Sequence, residues 1–120
     1  MSQSVMSPSD LINALNKDVV DFSQVISTIE NYYEFTPVTF HNGSLTNEAG
    51  SNLGSCKIFA FAQLNGLSKQ ATLNAFGAFY TEDVLKHPEA QDHQNIRNFM
   101  NTGWEGVVFE RPALKAKQGV

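Results

Sequence analysis

The sequence predicts a mainly α fold: a compact bundle of about five short helices with a small two-stranded β element, or α+β if the strands are counted. Three observations predict it. Apolar residues recur at helical spacing over several segments, each opened by a Ser or Asp that suits an N-cap. The run CKIFAFAQL at 56–64 is apolar nearly all round, as a buried helix is. Extended patterns are confined to two short stretches, around 38–40 and 106–110. At 120 residues, with 42% apolar residues and nine Phe, the chain is long enough for one core and does not read as disordered.

Taken in order, Ser7-Pro8-Ser9-Asp10 opens a short helix over 8–17, with Pro8 in the first turn. Residues 1–20 are read as an N-terminal arm or short helix outside the main domain, which is set at 21–111. Asp21 and Gln24 form a capping-box pattern for a helix over 22–34, ended by Thr36-Pro37. Val38-Thr39-Phe40 reads as a strand, and Asn42-Gly43 is the strongest turn signal in the chain. The segment 44–55 is rich in Ser, Asn and Gly and reads as a twelve-residue loop. Ser55 is the expected cap of the 56–64 helix, with Gly66 at its end. Ser68 caps the next, whose inner face is Leu73, Phe76, Phe79 and Tyr80; Gly77 beside them signals a close approach. Asp92 is the expected cap of the last helix, which carries Ile96, Phe99 and Met100 and ends at Gly103. A strand follows at 106–110, and 112–120 reads as a flexible tail.

Charge and composition exclude several function classes. Eight basic against twelve acidic residues give a net charge of −4, and the bases form no stripe, which disfavours nucleic acid. No apolar run reaches the length of a membrane span, and no cleavable signal is visible at the start, so no membrane partner is expected. One cysteine, Cys56, makes no internal disulfide and fits a reducing, cytoplasmic compartment. No His or Cys pair has metal-ligand spacing, and no phosphate loop is present, so no metal and no cofactor are expected.

Three groups of residues carry candidate chemistry. Cys56 falls in the first turn of its predicted helix beside Lys57, where free N–H groups and the helix dipole favour a thiolate; His41, His87 or His93 would supply a base. Its competing reading is a buried structural thiol. In Asp92-His93-Gln94-Asn95-Ile96-Arg97, His93 and Arg97 lie one helical turn apart, and the first turn suits an anion; the plainer reading is a cap, a satisfied imidazole and a surface ion pair. Asn42, Asn47 and Asn52 recur every five residues in the Gly-containing segment, either as a binding loop or as side chains satisfying its own backbone.

The blocks Phe35-Thr36-Pro37, Phe40 with Asn42-Gly43, Asn47-Glu48-Ala49-Gly50, Asn52 with Gly54-Ser55-Cys56-Lys57-Ile58-Phe59, Thr72-Leu73 with Phe76-Gly77, Asp92 through Arg97 with Phe99, and Gly103-Trp104 together resemble the HopJ type III effector family over about residues 20 to 110. The family takes its name from a plant-pathogen virulence protein delivered through a type III secretion system, and similar sequences also occur in bacteria and photosynthetic eukaryotes with no obvious use for such delivery. The resemblance is therefore compatible with a bacterial cytoplasmic protein and, as the second reading, with export through a type III system without a cleaved signal. It carries over no catalytic residues.

The leading expectation is a binding or interaction domain for a small-molecule or protein ligand. Its groove would lie between the 41–55 loop and the Asp92-His93 turn, lined by His93, Asn95 and Arg97 opposite Asn52 and Ser55, with Asn42 and Asn47 among the ligand contacts. The alternative is a small cysteine-dependent hydrolase or transferase with Cys56 as nucleophile and His93 as base.

Overall fold

The computed structural model describes residues 6–117. They form an α+β domain rather than a purely helical one: five α-helices, a π-helical turn, a 3-10 turn and two small antiparallel sheets.

Helix α1 (Pro8–Leu15) starts as its sequence dictates, with Ser7 Oγ accepting from the Asp10 amide at 3.1 Å. Leu11 and Leu15 are fully buried, and the Asn74 amide donates to Leu15 O at 2.8 Å. The segment read as an arm or short helix outside the domain is a short helix over 8–15, and it is part of the core; residues 1–5 lie outside the described residues. Helix α2 (Phe22–Tyr32) buries Val25, Thr28 and Ile29. Asp21 stands at its N-cap but makes no capping bond; its carboxylate takes the Ser23 hydroxyl instead.

The helix stops at Tyr32, earlier than expected, because Tyr33 enters a strand. Strand β1 (Tyr33–Phe35) pairs antiparallel with β5 (Leu114–Ala116), Tyr33 opposite Ala116 and Phe35 opposite Leu114. This corrects the flexible-tail reading of 112–120: Ala113 and Leu114 are buried, and Lys117 Nζ donates to Glu30 O at 2.9 Å. Residues 118–120 lie outside the described residues.

The second sheet has the order β3-β2-β4, from β2 (Phe40–Asn42), β3 (Leu45–Asn47) and β4 (Val107–Phe109). Asn42 pairs with Leu45, so the turn falls on Gly43-Ser44, one residue beyond the Asn-Gly signal. The expected twelve-residue loop thus contains a strand, and β2 itself runs later than the 38–40 expected. Polar composition hid β3, because Asn47 is buried through its amide bonds rather than through an apolar side chain.

Helix α3 (Leu53–Leu64) is the central rod, burying Cys56 and Ile58 through Ala62. Phe59 lies amid Phe99 at 5.0 Å, Phe76 at 5.5 Å, Phe40 at 6.0 Å and Trp104 at 6.3 Å between ring centroids. Helix α4 (Lys69–Asn74) is capped by Ser68 as read, its Oγ accepting from the Ala71 amide at 3.1 Å. Gly77 has φ +59°, and a Cβ there would meet Phe22 N at 2.9 Å and Val20 O at 3.0 Å. The close approach read from this glycine is made by the backbone that starts α2. A π-helical turn (Phe79–Val84) follows, then α5 (Gln94–Thr102), ended by Gly103 at φ +62°. The 3-10 turn Gly103–Gly106 leads into β4.

Candidate functional site

Two helix starts line one cleft. Helix α3 opens from Asn52, at φ 52°, and α5 from His93, at φ 51°. These are the two non-glycine residues with positive φ among the described residues. Neither helix has a side-chain cap, and neither has an acidic residue in its first turn. The first bond of α3 runs from Cys56 N to Asn52 O at 3.0 Å, that of α5 from Arg97 N to His93 O at 3.1 Å. The N–H groups of 53–55 and 94–96 therefore have no acceptor among the described residues. Sequence reading set these starts at Ser55 and Asp92. Both helices begin without a capping side chain, so Ser55 lies inside the first turn of α3 and Asp92 outside α5.

The cleft between them has a volume of about 470 Å³. Asn52, Gly54 and Ser55 line one side, His93, Gln94, Asn95 and Ile96 the other, and Phe22, Leu45, Phe76 and Phe79 supply apolar walls. Phe79 was read as core, but it is 39% exposed and packs edge-on to Phe22 at 5.0 Å. The π-helical turn, which has no sequence signature, brings Phe79 here, and Phe22 reaches the same wall from the start of α2.

Beneath the cleft lies a chain of side-chain amides. Asn47 and Asn95 pair reciprocally: Asn47 Nδ2 donates to Asn95 Oδ1 at 3.0 Å, and Asn95 Nδ2 donates to Asn47 Oδ1 at 2.8 Å. Asn52 Nδ2 donates to the same Asn47 Oδ1 at 2.6 Å. Asn42 Nδ2 donates to Asn95 O at 2.8 Å and to Asn95 Oδ1 at 3.0 Å. Asn42 and Asn47 are buried and do not line the cleft; the Asn42 Oδ1 is buried without a partner.

His93 presents its ring to the cleft against Phe79, with centroids 5.1 Å apart. Its Nε2 lies 3.0 Å from Asp83 Oδ2 and 3.9 Å from Asp92 Oδ2. Asp83 comes from the π-helical turn, so no local sequence signal marks it as a partner of His93. Arg97 is not brought to the cleft. Its Nε donates to Asp92 O at 2.6 Å, Nη1 to His87 O at 3.0 Å, and Nη2 to Asp83 O at 3.3 Å and Asp92 Oδ1 at 2.7 Å. With its donors turned to the 83–92 segment, Arg97 clamps that segment and has no fork left for a ligand in the cleft. The hydrogen bond from Arg97 holds the Asp92 carboxyl below its ordinary range.

Cys56 is 1% exposed, and its Sγ points to Val38 O at 4.0 Å. Burial raises the thiol above its ordinary pKa, against smaller opposing effects of a backbone hydrogen bond at Val38 and of Lys57. No hydrogen bond joins it to an imidazole among the described residues, and it does not line the cleft. The geometry therefore does not bring the proposed nucleophile and base together.

A second depression of about 610 Å³ lies between Ala60, Gln63 and Leu64 of α3 and residues 109–114. It holds no helix start and none of the asparagines above. Among the described residues no group of His, Cys, Asp and Glu is arranged to hold a metal ion, and no helix is long and apolar enough to cross a membrane.

The chain is 52% identical to a crystallised protein of unknown function, VPA0580, over 98% of this chain and 99% of that one, with a TM-score of 0.91. No curated protein matches it. Residues 8–114 match the family described as HopJ type III effector protein, a span that takes in α1 and the start of β5 as well as the blocks read from the sequence. With that match over most of its length, the chain belongs to the HopJ type III effector protein family.

Proposed function

We propose that this protein is a binding domain whose ligand sits in the cleft between the starts of α3 and α5. The single observation that carries the reading is that two uncapped first turns line one apolar-walled cleft. Free helix-start N–H groups attract an anion or a carbonyl oxygen, and the dipoles of both helices add to that. The aromatic walls favour an apolar body beside it. The ligand class is therefore a small molecule or chain end that carries a carboxylate or similar oxyanion on an apolar or aromatic group. Ser55, Asn52 and His93 add polar side chains at the rim. Family membership supports a type III effector-like protein, with export from the cytoplasm through such a system. The cysteine-enzyme reading has no comparable support, since Cys56 lies away from the cleft.

The test is thermal unfolding with benzoate, which joins a carboxylate to an aromatic ring, against benzyl alcohol at matched ionic strength. A ligand that binds the folded state alone raises the midpoint. Benzoate is expected to raise it and benzyl alcohol to leave it in place. Equal effects of the two would remove the oxyanion from the reading.

A further inference from the structure

We propose that Asn47, which no ligand in the cleft would touch, is the positioning residue that sets the two helix starts relative to each other. This rests on the cleft reading, and it adds the device that holds the cleft in shape. Asn47 is 1% exposed on β3, yet it bonds to the amides of both Asn52 and Asn95. Asn52 is the residue from which α3 opens, and Asn95 is in the first turn of α5. Its Oδ1 accepts from both, and its Nδ2 returns a bond to Asn95. Asn52 does not use its side chain on its own helix. That amide is spent on Asn47 instead, which makes the link between helices rather than a cap.

No hydrogen bond joins Asn52 to Asn95 directly among the described residues; the path runs through Asn47. An amide is suited to this because it donates and accepts at once, so a single side chain satisfies two neighbours in opposite senses. A buried polar link of this kind fixes one geometry, since any shift leaves a donor or acceptor unpaired.

The experiment uses two variants of the full chain and amide NMR spectra. Asn47→Leu keeps the branched shape of the side chain and removes the bridge. Asn52→Gly keeps the left-handed backbone without strain and removes one arm, so it stands in if the first variant does not fold. Thr28→Val, which deletes a buried hydroxyl bonded to Gln24 O on α2, is the control. In the ligand-free protein, Asn52→Gly is expected to move the amide resonances of 94–96, to which Asn52 has no hydrogen bond, and Thr28→Val to leave them in place. Benzoate affinity is expected to fall about tenfold in either Asn variant and to hold in the control. Changes confined to 47–56 would overturn the positioning role. If benzoate does not bind the parent protein, the cleft reading fails, while the ligand-free shifts still judge the bridge.

Discussion

Asn52 and His93 share one backbone conformation, with φ at 52° and 51°, and each opens a helix onto the same cleft. Left-handed backbone at a residue with a Cβ costs about 1 to 2 kcal/mol. Among residues other than glycine, Asn and His are enriched there. Such conformations persist where the surroundings over-determine them, and they gather at functional sites. Here the amide bridge holds Asn52, and Asp83 holds the His93 ring.

The seam between Gly77 and the start of α2 gives a prediction, paired with Gly66, a glycine of similar φ. At Gly77 a Cβ would press on the backbone of Phe22 and Val20, whereas at Gly66, φ +67°, nothing lies within 4 Å. Gly66→Ala is expected to lose about 1 kcal/mol from the backbone alone. Gly77→Ala is expected to lose at least about 3 kcal/mol, because two backbone segments must part. Chemical denaturation measures both, and equal losses would mean that the seam yields freely.

Arg97 is predicted to act on the 83–92 segment and not on the ligand. Arg97→Lys retains charge but not the fork that reaches Asp92, His87 and Asp83 together. The expected loss is about 2 kcal/mol of stability, with faster hydrogen exchange across 84–92 and little change in benzoate affinity. A selective loss of affinity at unchanged stability would put Arg97 in the cleft after all.

Asp92 gives an acid-side signature. Its folded pKa lies below its unfolded value, so the contribution is present above the unfolded pKa and is lost as pH falls through the folded one. Stability should therefore drop below about pH 4. Asp92→Asn should flatten that drop. A variant whose acid limb overlays the parent's would show that the Arg97–Asp92 contact contributes nothing.

The thiol gives the alkaline counterpart. Burial holds Cys56 above its ordinary pKa. Its contribution is therefore intact below the unfolded value, about 8.5, and declines as pH rises beyond it. Cys56→Ala should lose the alkaline decline, and iodoacetamide should label folded Cys56 far more slowly than the unfolded chain at neutral pH. Rapid labelling of the folded protein would revive the nucleophile.

Much of the helix layout was legible because its signals are local. Ser7 and Ser68 cap through their own hydroxyls, and Gly103 ends a helix by its own conformation. Asn52 and His93 escaped the same reading because a left-handed start shows no capping side chain; the best Ser and Asp nearby, Ser55 and Asp92, drew the boundaries instead. Strands β3 and β5 are three residues each, too short for alternation to register, and their places are set by partners distant in sequence. The groove read between the Asn-rich segment and the Asp92-His93 turn contains Asn52, Ser55, His93 and Asn95. Asn42 and Asn47 are buried off its lining, and Arg97 is turned to the 83–92 segment. Spacing alone does not separate an amide that lines a cleft from one that supports it.

The most direct measurement is the map of amide chemical-shift changes as benzoate is added to the parent protein. The largest changes are expected at the N–H groups of 53–55 and 94–96, saturating together, with benzyl alcohol producing none of them. Changes centred on residues 109–114, or of the same size with benzyl alcohol, would contradict it.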